Sequence, residues 1–242
     1  RFPVTIPFEI SPIDLSQVRI LVTGGAGLIG SAVVWQLNRL GCDNILVADE
    51  LGQTAKWKNL AALRFADYLE ADDLQKAVQQ HPKILSDIRV VIHLGACSAT
   101  TETDASYLIR NNFNYTKMLC HFCLEGQRRF VYASSAATYG GLEQKLSETL
   151  PLHSLRPLNM YGYSKHMFDC YAERAGFLGA LTGLKYFNIF GPNENHKGDM
   201  RSVVHKAFHA IRDTGHTSLF KSHRPEYLDG EQKRDFLYVK DA

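Results

Sequence analysis

Tyr161 and Lys165 are four residues apart in Tyr161-Gly162-Tyr163-Ser164-Lys165, a spacing that puts both side chains on one face of a helix. A free tyrosine, with a pKa of about 10, is a poor base at neutral pH, but an adjacent ammonium and the charge of an oxidised nicotinamide stabilise its phenolate. Such a phenolate takes the proton from a hydroxyl as hydride leaves the carbon. The pattern alone arises by chance on many helices. Its weight comes from Ser134-Ser135-Ala136-Ala137-Thr138-Tyr139-Gly140, at the end of the strand before it. A serine hydroxyl there can hydrogen-bond the reacting oxygen; Ser135 is expected in that role and Ser134 as a turn-former.

Hydride needs an acceptor, and Gly24-Gly25-Ala26-Gly27-Leu28-Ile29-Gly30 offers a place for one. The run Arg19-Ile20-Leu21-Val22-Thr23 before it reads as a buried strand, and Leu28, Ile29, Val33, Val34, Leu37 and Leu40 carry a helical period. Glycines admit positive φ and let pyrophosphate reach the backbone, while a helix N-terminus presents free N–H groups. Gly24, Gly27 and Gly30 are the expected cradle. The next strand signal, Asn44-Ile45-Leu46-Val47-Ala48, ends at Asp49, 19 residues after Gly30, placed to accept hydrogen bonds from a ribose. Asp49 favours NAD by repelling a 2′-phosphate, whereas Lys56 and Lys58 can offset that charge and admit NADP; both cofactors stay open.

These residues need a scaffold that brings strand ends together. Apolar strand signals at 90–94, 129–133 and 184–187 alternate with helical ones at 72–80, at 161–175 and in a long stretch that Thr103 or Asp104 caps and that ends near Gly126. Residues 57–63 read as amphipathic and 64–68 as extended. A helix at 202–212 and a strand-like Arg234-Asp235-Phe236-Leu237-Tyr238-Val239 follow. Repeated βα units imply a doubly wound parallel sheet with helices on both faces and ligands at the carboxyl ends of its strands. The chain has 242 residues, 45% apolar and 21% charged, which is ordinary globular material. A net charge of +2 argues against a nucleic-acid partner. No apolar run reaches the ~18 residues of a membrane span, so no membrane partner is expected. Five scattered cysteines suit a reducing cytoplasm, with the C-x-x-C pair Cys120 and Cys123 read as core thiols. His196 has no second ligand at metal spacing, so no metal site is expected.

Together these residues resemble the extended short-chain dehydrogenase/reductase family, from about Val18 onward. The glycine motif, Ser135, Tyr161, Lys165, Asn111 and Arg234-Asp235-Phe236 carry the likeness. It implies a Rossmann-like α/β fold: an N-terminal extension at 1–17, a dinucleotide-binding domain at 18–188, and a small, truncated substrate-binding domain at 189–242. Gly95-Ala96-Cys97-Ser98-Ala99-Thr100-Thr101-Glu102, Tyr186-Phe187-Asn188 and Gly191-Pro192 leading to His196-Lys197-Gly198 are similar to those family members that act on an ADP-bound heptose. That likeness implies inversion at C6″ by transient oxidation with one tightly bound NADP or NAD per subunit, in the cytoplasm, for the lipopolysaccharide inner core, and a homo-oligomer. Tyr161 and Lys197 would serve as the two bases, one for each alcohol configuration.

The resemblance also assigns contacts. For the cofactor it points to Leu28, Ile29, Asp49, Glu50, Lys56, Leu94, Gly95, Ala96, Cys97, Ser98, Asn111, Lys165, Ile189 and Lys197. For the substrate it points to Asn188, Asp199, Lys206, Phe220, Lys221, Ser222, His223 and Arg234, with Arg234 as a bidentate clamp on diphosphate or, alternatively, in a salt bridge with Asp235. A dimer seam would draw on Leu108, Phe113, Met118, Phe168 and Tyr171, residues that core packing explains equally well. Asp199 and Lys206 replace the family's usual serine and histidine, and Ala71 replaces a second lysine, which weakens NADP. Two rivals remain: a nucleotide-sugar 4-epimerase or 4,6-dehydratase, and a non-catalytic dinucleotide-binding sensor. Ala136-Ala137, where dehydratases of the family carry an Asp-Glu pair, argues against elimination.

Overall fold

The computed structural model describes residues 12–142 and 146–242. Most of the expected N-terminal extension, residues 1–11, therefore lies outside the described residues; at its end Asp14 caps a single 3-10 turn, Leu15–Gln17.

Six parallel strands form one sheet: β1 (Arg19–Thr23), β2 (Ile45–Asp49), β3 (Asp67–Glu70), β4 (Ile88–His93), β5 (Arg129–Ser135) and β6 (Thr182–Tyr186), in the order β3-β2-β1-β4-β5-β6. The pleat explains why the central strands read as unbroken apolar runs. On β1, Ile20 and Val22 face one core with Val34 and Leu37, while Leu21 faces the other with Leu119 and Phe130. Both faces are covered, so every position must be apolar. The covering helices are α1 (Leu28–Arg39), α2 (Ala71–Gln80), α3 (Ala105–Leu108), α4 (Tyr115–Glu125) and α5 (Met160–Arg174). A smaller unit pairs β7 (Asn188–Phe190) in parallel with β8 (Phe236–Tyr238) and includes α6 (Val203–Thr214).

Several sequence expectations change in detail. The amphipathic 57–63 stretch becomes the 3-10 turn Ala55–Asn59, leaving Trp57 exposed. The long helix is not continuous: Asp104 caps α3, and a π-helical turn, Ile109–Asn114, leads into α4. The extended signal at 184–187 divides, because β6 ends at Tyr186 and the chain changes sheets before Asn188. Leu108 and Phe168, which a dimer seam or core packing would explain equally well, are fully buried within the chain. Cys120 and Cys123 are fully buried free thiols, the first pushed up to about 12 by burial, as core thiols should be. Among the described residues no helix is long and apolar enough to cross a membrane.

Candidate active site

The strand order reverses between β1 and β4, and the crevice outside their carboxyl ends is where open α/β sheets bind ligands. Gly24 sits there at φ +66°, and a Cβ on it would lie 2.7 Å from the Gly95 nitrogen. Only glycine allows the two loops to approach so closely. Gly27 caps α1 without any side-chain hydrogen bond, whereas Asp104, Asn159 and Ser202 cap α3, α5 and α6 with side-chain oxygens. The first-turn N–H groups of α1 are thus left for a phosphate. Leu28 and Gly30 are buried in this first turn with Ile29 between them.

Asp49, at the end of β2, is 6% exposed. Its carboxylate accepts from the Ala26 N–H at 2.8 Å and the Glu50 N–H at 2.7 Å, and pairs with Lys56 Nζ at 2.6 Å. Of the two lysines weighed against this charge, Lys56 neutralises it directly, while Lys58 lies over the Trp57 ring. A glycine loop held from below and an acid at the ribose position fit an adenine dinucleotide. Leu94 to Ser98 follow β4 on the other side of the crevice.

Ser135 ends β5, and its hydroxyl accepts from the Ala137 N–H, turning the chain into the 3-10 turn Ala136–Tyr139. Asn159 caps α5, accepting from the Gly162 N–H at 2.7 Å. A Cβ on Gly162 would stand 2.8 Å from the Ala137 carbonyl oxygen. That absent side chain lets the start of α5, which carries Tyr161, lie against the turn that follows Ser135. Burial raises the Tyr161 phenol above its usual range, and the nearby Ser135 hydroxyl partly counteracts this. Within the chain itself, desolvation outweighs the Ser135 hydroxyl. Lys165 is 5% exposed, donates to the Ala133 carbonyl at 2.9 Å, and is lowered to about 8 by burial, with Asp169 and Cys97 opposing.

Asn111 turns back to donate to the Tyr107 carbonyl on its own helix. Its neighbour Asn112 is fully buried and joins the surrounding elements. The π-helical turn supplies the extra residue that rotates it inward. Asn112 accepts from the Cys97 N–H, donates to the Cys97 carbonyl, and donates to Ser164 Oγ, which donates to the Tyr161 carbonyl. Ser134, expected as a turn-former, is a buried donor to Asp169 Oδ2. Sequence reading also passed over Glu194. Fully buried, it accepts from the Gly191 and Ser202 N–H groups and the Ser202 hydroxyl, closing the loop that carries Lys197. Lys197 is half-buried and lowered by desolvation, with Glu194 opposing.

The expected substrate contacts are spread over the smaller unit. Lys206 Nζ donates to the Asp199 carbonyl at 2.6 Å, and Asn188 Nδ2 donates to the Asp235 carbonyl at 2.9 Å. Phe220, Lys221 and His223 are exposed, and the Ser222 N–H donates to Asp229. Arg234 is exposed and donates to the Lys233 carbonyl rather than pairing with Asp235. Ile189, in β7, is half-buried.

This combination of sheet, glycine crevice and serine–tyrosine–lysine group marks a dinucleotide-dependent enzyme fold, and residues 20–242 match the profile of the NAD dependent epimerase/dehydratase family. The chain belongs to that family. It is 51% identical over 223 residues to an ADP-L-glycero-D-manno-heptose-6-epimerase from Nitratidesulfovibrio vulgaris, covering 92% of this chain and 69% of that relative. Among solved structures, the Helicobacter pylori ADP-L-glycero-D-manno-heptose-6-epimerase superposes with a TM-score of 0.77 at 26% identity, covering 95% of this chain and 72% of that one. A Bacillus cereus UDP-glucuronic acid 4-epimerase, solved with UDP-glucuronic acid and NAD, gives 0.72 at 27% identity, covering 93% and 70%.

Proposed function

We propose that this chain epimerises C6″ of ADP-glycero-manno-heptose, using a nicotinamide dinucleotide bound along the glycine crevice. The observation that carries the reading is the start of α5, with Tyr161 and buried Lys165, packed against the turn after Ser135 at the end of β5, with Lys165 donating to the Ala133 carbonyl of that strand. The 51% identity over 223 residues to a heptose epimerase supports this substrate. When bound, the dinucleotide supplies reversible hydride acceptance. Gly24, Gly27, Leu28, Ile29 and Gly30 would hold its diphosphate, Asp49 with Glu50 and Lys56 its adenosine ribose, and Leu94 to Ser98, Lys165 and Ile189 its nicotinamide half.

The protein's own groups move the protons. Tyr161 accepts the proton of the sugar hydroxyl, Ser135 orients that oxygen, and the Lys165 ammonium favours the phenolate. Because C6″ is exocyclic, rotation within the pocket presents the second face of the ketone, where Lys197 serves the other alcohol configuration. Lys197 fits this role because desolvation lowers it toward the range of a useful base. Arg234 and Lys206 would meet the diphosphate and sugar as the smaller unit closes over the substrate. The reading places the enzyme in the cytoplasm, as a homo-oligomer supplying the lipopolysaccharide inner core.

The test is incubation of the full-length protein with ADP-D-glycero-D-manno-heptose while NMR follows C6″. Appearance of the L-glycero epimer without net use of dinucleotide is expected. Acid-released dinucleotide with no change at C6″, but inversion at C4″ of another nucleotide sugar, would overturn the substrate assignment.

A further inference from the structure

Behind the proton-transfer group lies a buried ion pair that the proposed chemistry does not use. Asp169, 2% exposed, is four residues after Lys165 and so on the same face of α5. It accepts from Tyr132 Oη at 2.9 Å, Ser134 Oγ at 2.7 Å and Lys185 Nζ at 2.7 Å. Lys185, on β6, also donates to Thr138 Oγ1 at 2.8 Å, and the Thr138 hydroxyl donates to the Ser135 carbonyl at 2.8 Å. Tyr132 and Ser134 alternate along β5 with Ala133, whose carbonyl holds Lys165 Nζ. The end of β5 and the turn after Ser135 are thus fastened through Tyr132, Ser134 and Thr138 by two charges from α5 and β6, and Lys165 is tied to the same strand.

We infer that the Asp169–Lys185 pair positions the proton-transfer group, fixing the Ser135 backbone through Thr138 and giving Lys165 the counter-charge that keeps it an ammonium. A hydrophobic pair would hold the strand equally well, since a buried ion pair is weak evidence for stability; what it adds here is a field on Lys165. The groups facing Lys165 are Asp169 on its own helix, Cys97 from the loop after β4 and His93 from β4 itself. Those facing Asp169 are Tyr132, Lys185, His166, Cys170 and Tyr139. Asp169 is the nearby fixed anion, Lys185 tempers it, and His93 is kept neutral by burial.

The inference rests on Lys165 serving in the proposed reaction, so its test reads Lys165 without any substrate. In full-length protein labelled with 13Cε-lysine, the Lys165 resonance, assigned through Lys165→Arg, is titrated by NMR. Asp169→Asn removes the anion and is expected to move the midpoint down by about one unit or more. Lys185→Gln leaves the anion uncompensated and is expected to move it up. Opposite shifts support the positioning role even where C6″ turnover is absent, so failure of the substrate assignment remains distinguishable. If Asp169→Asn does not fold, Lys185→Gln alone decides. A Lys165 midpoint that stays at its wild-type value in Lys185→Gln, with only the melting temperature falling, would reduce the pair to a structural clamp and overturn the inference.

Discussion

Tyr161 works against its own surroundings. Burial raises it, and within this chain the Ser135 hydroxyl opposes that rise. Tyr161→Phe keeps the ring and the packing and removes the proton path. Turnover is expected to fall by roughly 10²- to 10⁴-fold, with the same dinucleotide released by acid extraction; unchanged turnover would return the protein to the dinucleotide-sensor reading. At the other end of the crevice, Lys56 pairs with the Asp49 carboxylate and offsets its charge. In Lys56→Ala the carboxylate faces the ribose uncompensated, and repulsion of a 2′-phosphate follows. Titration of the apoprotein with both cofactors is expected to show NADP affinity falling by about tenfold more than NAD affinity, a difference of about 1.4 kcal/mol.

On β4, His93 joins two elements from the core. The Thr116 hydroxyl donates to the Asn112 carbonyl, so its oxygen accepts from His93 Nε2–H, leaving Nδ1 to accept from Thr23; the Thr23 oxygen in turn accepts from the Gly95 N–H. The chain of bonds runs from the glycine crevice to the π-helical turn and holds only while the ring is neutral. Burial depresses His93 well below its usual range. The unfolded chain therefore binds protons that the folded one refuses, and stability present above pH about 6.5 is lost as the pH falls below it. His121, His166, His196 and His205 shift the same way. Urea midpoints measured from about pH 7 down to pH 5 are expected to fall, and less steeply in His93→Gln; parallel curves would remove His93 from this account.

Between the sheet and the smaller unit, one side chain makes three connections. Asn59 Nδ2 donates to the Ala26 carbonyl at 2.8 Å, to the Asn193 carbonyl at 3.3 Å and meets His196 Nδ1 at 3.1 Å. Asn193 Nδ2 adds a bond to Ser31 Oγ at 3.1 Å. The glycine crevice and the loop carrying Lys197 are therefore held as one body. Asn59→Ala should release the loop while leaving the sheet intact. Amide exchange at 191–202 is expected to quicken by tenfold or more while that of β1 and β4 stays unchanged; protection retained at 191–202 would show that Glu194 suffices to hold the loop.

The glycine turn between β1 and α1, the acid at the end of β2, the Tyr161–Lys165 spacing on α5 and the parallel sheet were legible from sequence because each rests on local pattern. Turn, strand and helix periods, and the i to i+4 spacing, are written along a few consecutive residues. What remained hidden depends on contacts between distant elements. Asn112 is turned into the core where the helix takes a π turn. Ser134 is a buried donor rather than a turn-former because Asp169 comes up beneath it. Glu194 becomes the anchor of a loop through bonds to both of its ends, and the rise in Tyr161 follows from a burial that no spacing records. The chemistry available was thus determined by residue types in sequence, and which partner each group meets, and at what protonation, was decided by the packing of the folded chain, since desolvation and hydrogen bonding exist only once the elements are assembled.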